Sequence, residues 1–172
     1  MSARNDGSDG EASASVHPAE ELSRLVSSSF IWMEALERRV LSRVTPPLTT
    51  SQYHALTVLA REPNQSLGDL AARLLTVKSN ASGIVDRLEG LGLVERHEDP
   101  HDARRVLLGL TSAGRETLRS ADEARREDFA RIFAGGETER VAALAEMLRD
   151  LVDLLQRSVE QERSIAPSDD LT

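Results

Sequence analysis

The sequence predicts a mainly α protein with a small β-hairpin wing, in which a winged helix-turn-helix is combined with a helical dimerisation region. Three observations carry this reading. Apolar residues recur at three- and four-residue spacing over most of the chain. The period changes once, near residues 93–110, to two short extended runs. No alternation of helix and strand builds towards an α/β enzyme.

Residues 1–18 are rich in Ser, Asp, Gly and Ala and read as a disordered arm, as do residues 164–172 at the other end. Residues 19–47 form the first helical stretch. Its apolar side Leu22, Leu25, Val26, Met33, Leu36 and Val40 repeats in helical steps, and Thr45-Pro46-Pro47 stops it. Thr49-Thr50-Ser51 supply cap candidates for a second helix through Tyr53, Leu56, Leu59 and Ala60. Ser66-Leu67-Gly68-Asp69 resembles a capping box with Asp in place of Glu and opens a short third helix. A fourth runs from about Ser79 to Leu91, with Ala81, Ile84, Val85 and Leu88 turned inward and Gly92 placed as its left-handed stop.

Leu93-Val94-Glu95-Arg96 and Arg105-Val106-Leu107-Leu108-Gly109-Leu110 then read as two strands around a long polar tip, residues 97–104. With the preceding helices they define a binding domain over residues 48–111. Thr111 caps a charged helix reaching Phe133, which Gly135-Gly136 breaks. The final helix repeats Val141, Leu144, Leu148, Leu151 and Leu155 in a coiled-coil-like seam. Residues 112–163 are therefore expected to form the second part of the dimerisation region.

The chain has 172 residues, 40% of them apolar and 29% charged, enough for a packed core. It has no cysteine, which removes disulfides, thiolate metal sites and thiol redox chemistry. Its four histidines are too dispersed for a convincing metal site, so neither metal nor cofactor is expected. No run is long enough for a membrane span or a signal-peptide core, and a cytoplasmic protein without membrane contact is the expectation. The absence of a nucleophile elbow, Gly-rich phosphate loop or HExxH pair argues against an enzyme. The net charge of −8 resides mostly in the ends, leaving residues 21–159 with 21 acids against 19 bases. That near balance neither requires nor forbids a nucleic-acid partner.

Two helices over residues 66–91 joined by a short turn form a helix-turn-helix, whose second helix can lie in the DNA major groove. With the apolar positions inward, Ser79, Asn80, Ser82, Gly83, Asp86 and Arg87 face out. Asn80 suits a bidentate pair with adenine, and Ser79 and Ser82 can reach bases or phosphates. Lys78 and Arg87 are placed for the backbone. The hairpin supplies a wing for the adjacent minor groove, where Arg104 and Arg105 fit the concentrated negative potential. Asp102 stands two residues before Arg104 and is expected to orient its guanidinium.

Leu48-Thr49-x-x-Gln52-Tyr53-x-x-Leu56, Leu70-Ala71, Ile84-Val85-Asp86-Arg87-Leu88-Glu89-x-Leu91-Gly92-Leu93-Val94-x-Arg96, Asp99-Pro100-x-Asp102-x-Arg104 and Leu110-Thr111-x-x-Gly114 together resemble the MarR family of bacterial regulators over residues 48–118. The resemblance implies a homodimeric winged helix-turn-helix transcription factor, usually a repressor. Such proteins leave a pseudo-palindromic operator when a small aromatic or phenolic acid binds. It also implies that Arg104 is the wing-tip arginine, Asp102 its partner, and residues 79–91 the recognition helix. The chain departs from the family at Gly83, often basic or larger, and at Ala103, where a second wing arginine is common. Residues 77–105 hold five bases against six acids, which predicts modest affinity with strong salt sensitivity, or help from basic residues elsewhere.

The apolar stripes of the first and last helices exceed what the central domain can cover, and a second copy of the chain is the expected partner. By the same resemblance an inducer pocket would lie between the dimer helices and the DNA-binding lobe. Trp32, Arg39, Tyr53 and His54 are its candidate lining. Two rival readings remain at this point: a winged-helix adaptor for protein partners with weak or no DNA binding, and a repressor that needs no ligand.

Overall fold

The computed structural model describes residues 17–165; residues 1–16 of the arm expected over 1–18, and residues 166–172 of the tail expected over 164–172, lie outside the described residues, whereas Pro18 already opens the first helix and Ile165 closes the last. The chain divides into two compact units, Met1–Asp122 and Glu123–Thr172, with the boundary inside the fifth helix.

In the first unit, α1 (Pro18–Leu41) begins with Pro18 at its first turn, a position where a missing N–H costs nothing. It ends at Leu41, short of the Thr45-Pro46-Pro47 stop. After a loop, α2 (Thr50–Arg61) starts with a complete capping box: Gln52 N–H donates to the Thr49 hydroxyl (3.3 Å) and Thr49 N–H donates to Gln52 Oε1 (2.8 Å). Then follow β1 (Gln65–Ser66), α3 (Leu67–Arg73), α4 (Lys78–Gly90), β2 (Val94–Asp99), β3 (Asp102–Leu110) and α5 (Ser112–Phe133). The antiparallel sheet has the order β1-β3-β2, so the two-residue β1, which carries no periodic signal in the sequence, makes a third strand beside the hairpin.

The hairpin corrects one expectation. Residues 97–104 are not a long tip, because β2 continues to Asp99 and β3 begins at Asp102, leaving Pro100 and His101 as the turn. Both faces of this outer segment meet solvent, so the apolar alternation that normally reveals a strand is missing.

The core of this unit gathers Leu41, Leu56 and Leu59 from the first two helices, Leu70 from α3, Val85 and Leu88 from α4, and Leu93, Leu108 and Leu110 around the hairpin. Ala81, Val85 and Leu88 are fully buried as their spacing requires, whereas Ile84 is only half-buried. Truncating a leucine such as Leu56 or Leu88 to alanine typically costs about 2–5 kcal/mol. The hydroxyl of buried Tyr53 donates to Asp122 Oδ1 at 2.6 Å, which clasps α2 to α5 and satisfies the phenol.

Thr111 explains the Leu-Thr-x-x-Gly run. Its hydroxyl accepts from Gly114 N–H (2.9 Å) as the cap of α5 and donates to the Gly92 carbonyl (2.7 Å). α1 keeps Leu22, Leu25, Phe30, Ile31, Trp32 and Met33 exposed.

The second unit contains the end of α5 and α6 (Thr138–Ile165), separated at Gly135-Gly136. Phe129 and Phe133 stack with centroids 6.2 Å apart. Leu144, Met147, Leu148, Val152, Leu154, Leu155 and Val159 on α6 are all exposed in the single chain.

Candidate nucleic-acid interface

Two matched helix ends build the helix-turn-helix. Ser66 caps α3: its hydroxyl accepts from Asp69 N–H (3.2 Å), and Asp69 Oδ2 accepts from the Ser66 hydroxyl (2.7 Å) and backbone N–H (3.2 Å). The Ser66 hydroxyl, and secondly its N–H, hold the Asp69 carboxyl below the ordinary aspartate value. α3 then closes with both bonds of a Schellman motif, Leu75 N–H to the Ala72 carbonyl (3.3 Å) and Thr76 N–H to the Ala71 carbonyl (3.0 Å). α4 closes the same way, through Gly92 N–H to Glu89 (2.8 Å) and Leu93 N–H to Leu88 (2.9 Å). Gly92 takes the left-handed conformation at φ +70°, as its position in the sequence requires. At the corresponding place after α3 stands Leu75, at φ +51°. The turn of the motif is therefore fixed by backbone bonding despite its unfavourable residue.

The N-cap of α4 is Val77, which makes no side-chain cap bond, so the first N–H groups of this helix depend on other partners. Lys78 opens the helix with its alkyl chain passing beside Gly68 of α3. Ser79, Asn80, Asp86 and Arg87 are exposed, and Ser82 and Gly83 are half-buried. Ser79, Asn80, Gly83, half-buried Ile84 and Arg87 join Ser51 of α2 and Thr76 of the turn around a depression of about 340 Å³. A Cβ added at Gly83 would meet nothing within 4 Å, so the centre of this face is open.

In the wing, Arg104 and Arg105 are exposed on β3. The expected orientation of the Arg104 guanidinium by Asp102 is corrected: Asp102 Oδ1 accepts instead from the Arg104 backbone N–H at 3.0 Å. Asp99 Oδ1 does the same for His101 N–H at 2.9 Å. Two short acidic side chains thus staple the tip, a local bond preferred over a long reach to a flexible guanidinium. Among the described residues the Arg104 guanidinium meets no carboxylate within ion-pair distance, whereas Arg105 Nη1 lies 3.8 Å from Asp99 Oδ2.

Arg96 on β2 reaches back to α4, with Nη2 2.7 Å from Asp86 Oδ1 and Nη1 on Glu89 Oε2. The Asp86 hydrogen bond is the largest cause raising the Arg96 pKa above its usual value. Arg96, Thr76 and Ser51 are the members of this surface that spacing along the chain does not single out.

The four candidate pocket residues lie on two helices, α1 and α2. Trp32 is 76% exposed on α1, and Arg39 is exposed further along it. Tyr53 is buried and bonded to Asp122, and its ring lies 5.8 Å from that of exposed His54. His54 Nε2 is 3.6 Å from Glu37 Oε1.

A family profile described as MarR family matches residues 47–105, which span α2 to the wing. An uncharacterised helix-turn-helix-type transcriptional regulator of Mycobacterium bovis is 31% identical over 140 residues, 80% of this chain and 94% of its own length. The chain belongs to the MarR family. A second relative, the homoprotocatechuate degradative operon repressor of Escherichia coli, is 29% identical over 107 residues, covering 62% of this chain and 72% of the repressor. Among solved structures, a MarR family protein from Bacillus stearothermophilus superposes with a TM-score of 0.73 at 26% identity, over 80% of this chain and 95% of that one. MarR proteins are transcriptional regulators rather than enzymes. Among the described residues no helix of this MarR chain is long and apolar enough to cross a membrane.

Proposed function

We propose that this MarR-family chain is a cytoplasmic repressor that binds a pseudo-palindromic operator as a homodimer and releases it when a small aromatic or phenolic acid binds. The observation that carries the reading is the exposed set Lys78, Ser79, Asn80 and Arg87 on α4 together with the exposed wing arginines Arg104 and Arg105. In this reading α4 occupies the major groove, with Asn80 and the flanking Ser79 and Ser82 at base edges and Lys78 and Arg87 on phosphates. Gly83 gives close access to the groove wall. Arg104 enters the minor groove, Arg105 supports it from the backbone side, and Asp102 holds the tip.

A second copy covers the exposed apolar faces of α1 and α6, which water would otherwise hydrate at a cost of about 25 cal/mol per Å². Two heads joined in this way supply avidity for a modest single contact. Trp32 and Arg39, exposed on α1, offer a ring face and a carboxylate partner to the inducer, and Tyr53 and His54 of α2 are the other candidate lining. Support for this chemistry comes from the E. coli relative named for repressing homoprotocatechuate degradation, a phenolic acid being the compound degraded.

The adaptor reading draws on the acid excess across residues 77–105. Arg96, one of the five bases in that count, is held by Asp86 and Glu89, which leaves Lys78, Arg87, Arg104 and Arg105 as the bases on the side of DNA reading.

The test is footprinting of the full chain on its own promoter, with light scattering for mass and thermal melting against a panel of aromatic acids and phenols. The proposal expects a protected two-fold symmetric site, twice the chain mass, and a melting shift with at least one acid that also releases DNA. Equal binding to unrelated DNA favours the adaptor. A site insensitive to every compound leaves a ligand-independent repressor.

A further inference from the structure

We propose that Thr76, a residue of the turn and not of the recognition helix, is a positioning residue that sets base specificity by orienting the Asn80 amide. The inference rests on the DNA-reading function proposed above. Asn80 Nδ2 lies 3.3 Å from Thr76 Oγ1 and donates to it. Asn80 sits in the first turn of α4 with its side chain in solvent, where a free amide samples several rotamers and both orientations of its oxygen and nitrogen. Adenine accepts only one orientation, with N–H on N7 and the carbonyl oxygen on the N6 amino group. An amide turned the other way places like groups against like.

Thr76 is suited to hold the amide because its own position is fixed. Its N–H closes the Schellman motif on the Ala71 carbonyl at 3.0 Å, and the preceding Leu75 is held at φ +51° by the same motif. Its β-branched side chain is half-buried and has few rotamers. The amide nitrogen has two protons; the one taken by Thr76 leaves the other, and Oδ1, without a protein partner among the described residues. Those are the two atoms a base edge requires. Thr76 and Asn80 line the same depression, and the open space at Gly83 leaves the approach to the amide clear. The hydroxyl therefore holds the amide in one rotamer, with Nδ2 turned towards Thr76, before DNA arrives, so less ordering entropy is lost on binding the correct base.

The experiment uses the full chain and a duplex enriched by it from a randomised pool. The base pair contacted by Asn80 is located as the position where Asn80→Ala loses preference. Each of the four base pairs is then placed there and titrated by fluorescence anisotropy with wild type, Thr76→Val and Thr76→Ser. Wild type is expected to prefer A·T by about 10- to 100-fold. Thr76→Val should reduce that preference to about threefold while preferences elsewhere in the site persist, and Thr76→Ser should restore it. Thr76→Ala repeats the test if valine disturbs the fold, which circular dichroism reports. Undiminished discrimination in Thr76→Val, or uniform weakening at all positions, overturns the role of Thr76 and leaves DNA reading intact. A wild type with no base preference anywhere in the site overturns the DNA-reading function and this inference with it.

Discussion

Arg96 Nη2 and Asp86 Oδ1 are 2.7 Å apart, which ties the wing strand to the exposed side of the recognition helix. Arg96 also holds Glu89. One of the two negative charges that would repel a phosphate backbone is thereby offset by a residue that need not touch DNA. Arg96→Gln should lower DNA affinity about three- to tenfold at low salt, with the deficit shrinking as salt screens the released charges. Folding stability should fall by less than about 1 kcal/mol, because the pair is largely solvent-accessible. Anisotropy titrations over a salt series check this; an unchanged affinity refutes the compensating role.

Gly114 is fixed by close approach. A Cβ there would sit 2.0 Å from the Leu93 carbonyl oxygen, a backbone atom that cannot swing aside. Gly114→Ala should destabilise the protein by about 1–3 kcal/mol or more, read by urea denaturation. A loss below about 0.5 kcal/mol contradicts the packing described.

Leu75 is the reverse case. It occupies a left-handed position while remaining 67% exposed, so its side chain returns little burial for the backbone cost. Leu75→Gly should stabilise by about 0.5–1 kcal/mol, the left-handed penalty less the added flexibility of the unfolded chain. Thermal or urea unfolding measures it, and a destabilised variant refutes the assignment.

The Ser66–Asp69 box makes stability depend on pH. The folded-state pKa of Asp69 lies below its ordinary value of 3.8, so the carboxylate contributes fully above that value. The contribution is lost as pH falls through the depressed folded value. The stability difference between wild type and Asp69→Asn should be constant near neutrality and shrink as pH falls below 3.8. A difference that grows in acid has the wrong sign for this box.

Much of this architecture is legible in the sequence because helices announce themselves by spacing. Thr49 among its cap candidates, Ser66 with Asp69, and Gly92 mark their helix ends where the bonds are found, while the Gln52 half of the Thr49 box comes only with the structure. The less visible features depend on contacts between distant residues or on solvent-exposed backbone. β1 is two residues long, and the outer wing has no apolar alternation. Asp102 binds a neighbouring N–H rather than the guanidinium that charge pairing suggests. Ile84 follows the core spacing of α4 yet borders the open depression. Thr76 stands four residues before Asn80 but ahead of the helix, in the turn, so helical spacing alone does not assign it to the surface that Asn80 presents.

The most direct test is an anisotropy titration of wild type and Arg104→Ala against the enriched duplex and a scrambled duplex of equal length. Wild type should prefer the enriched duplex by at least about a thousandfold. Arg104→Ala should weaken that binding by about 1–3 kcal/mol. Equal binding of both duplexes by the wild type, or an Arg104→Ala variant that binds as tightly, would contradict a surface that reads DNA through α4 and the wing.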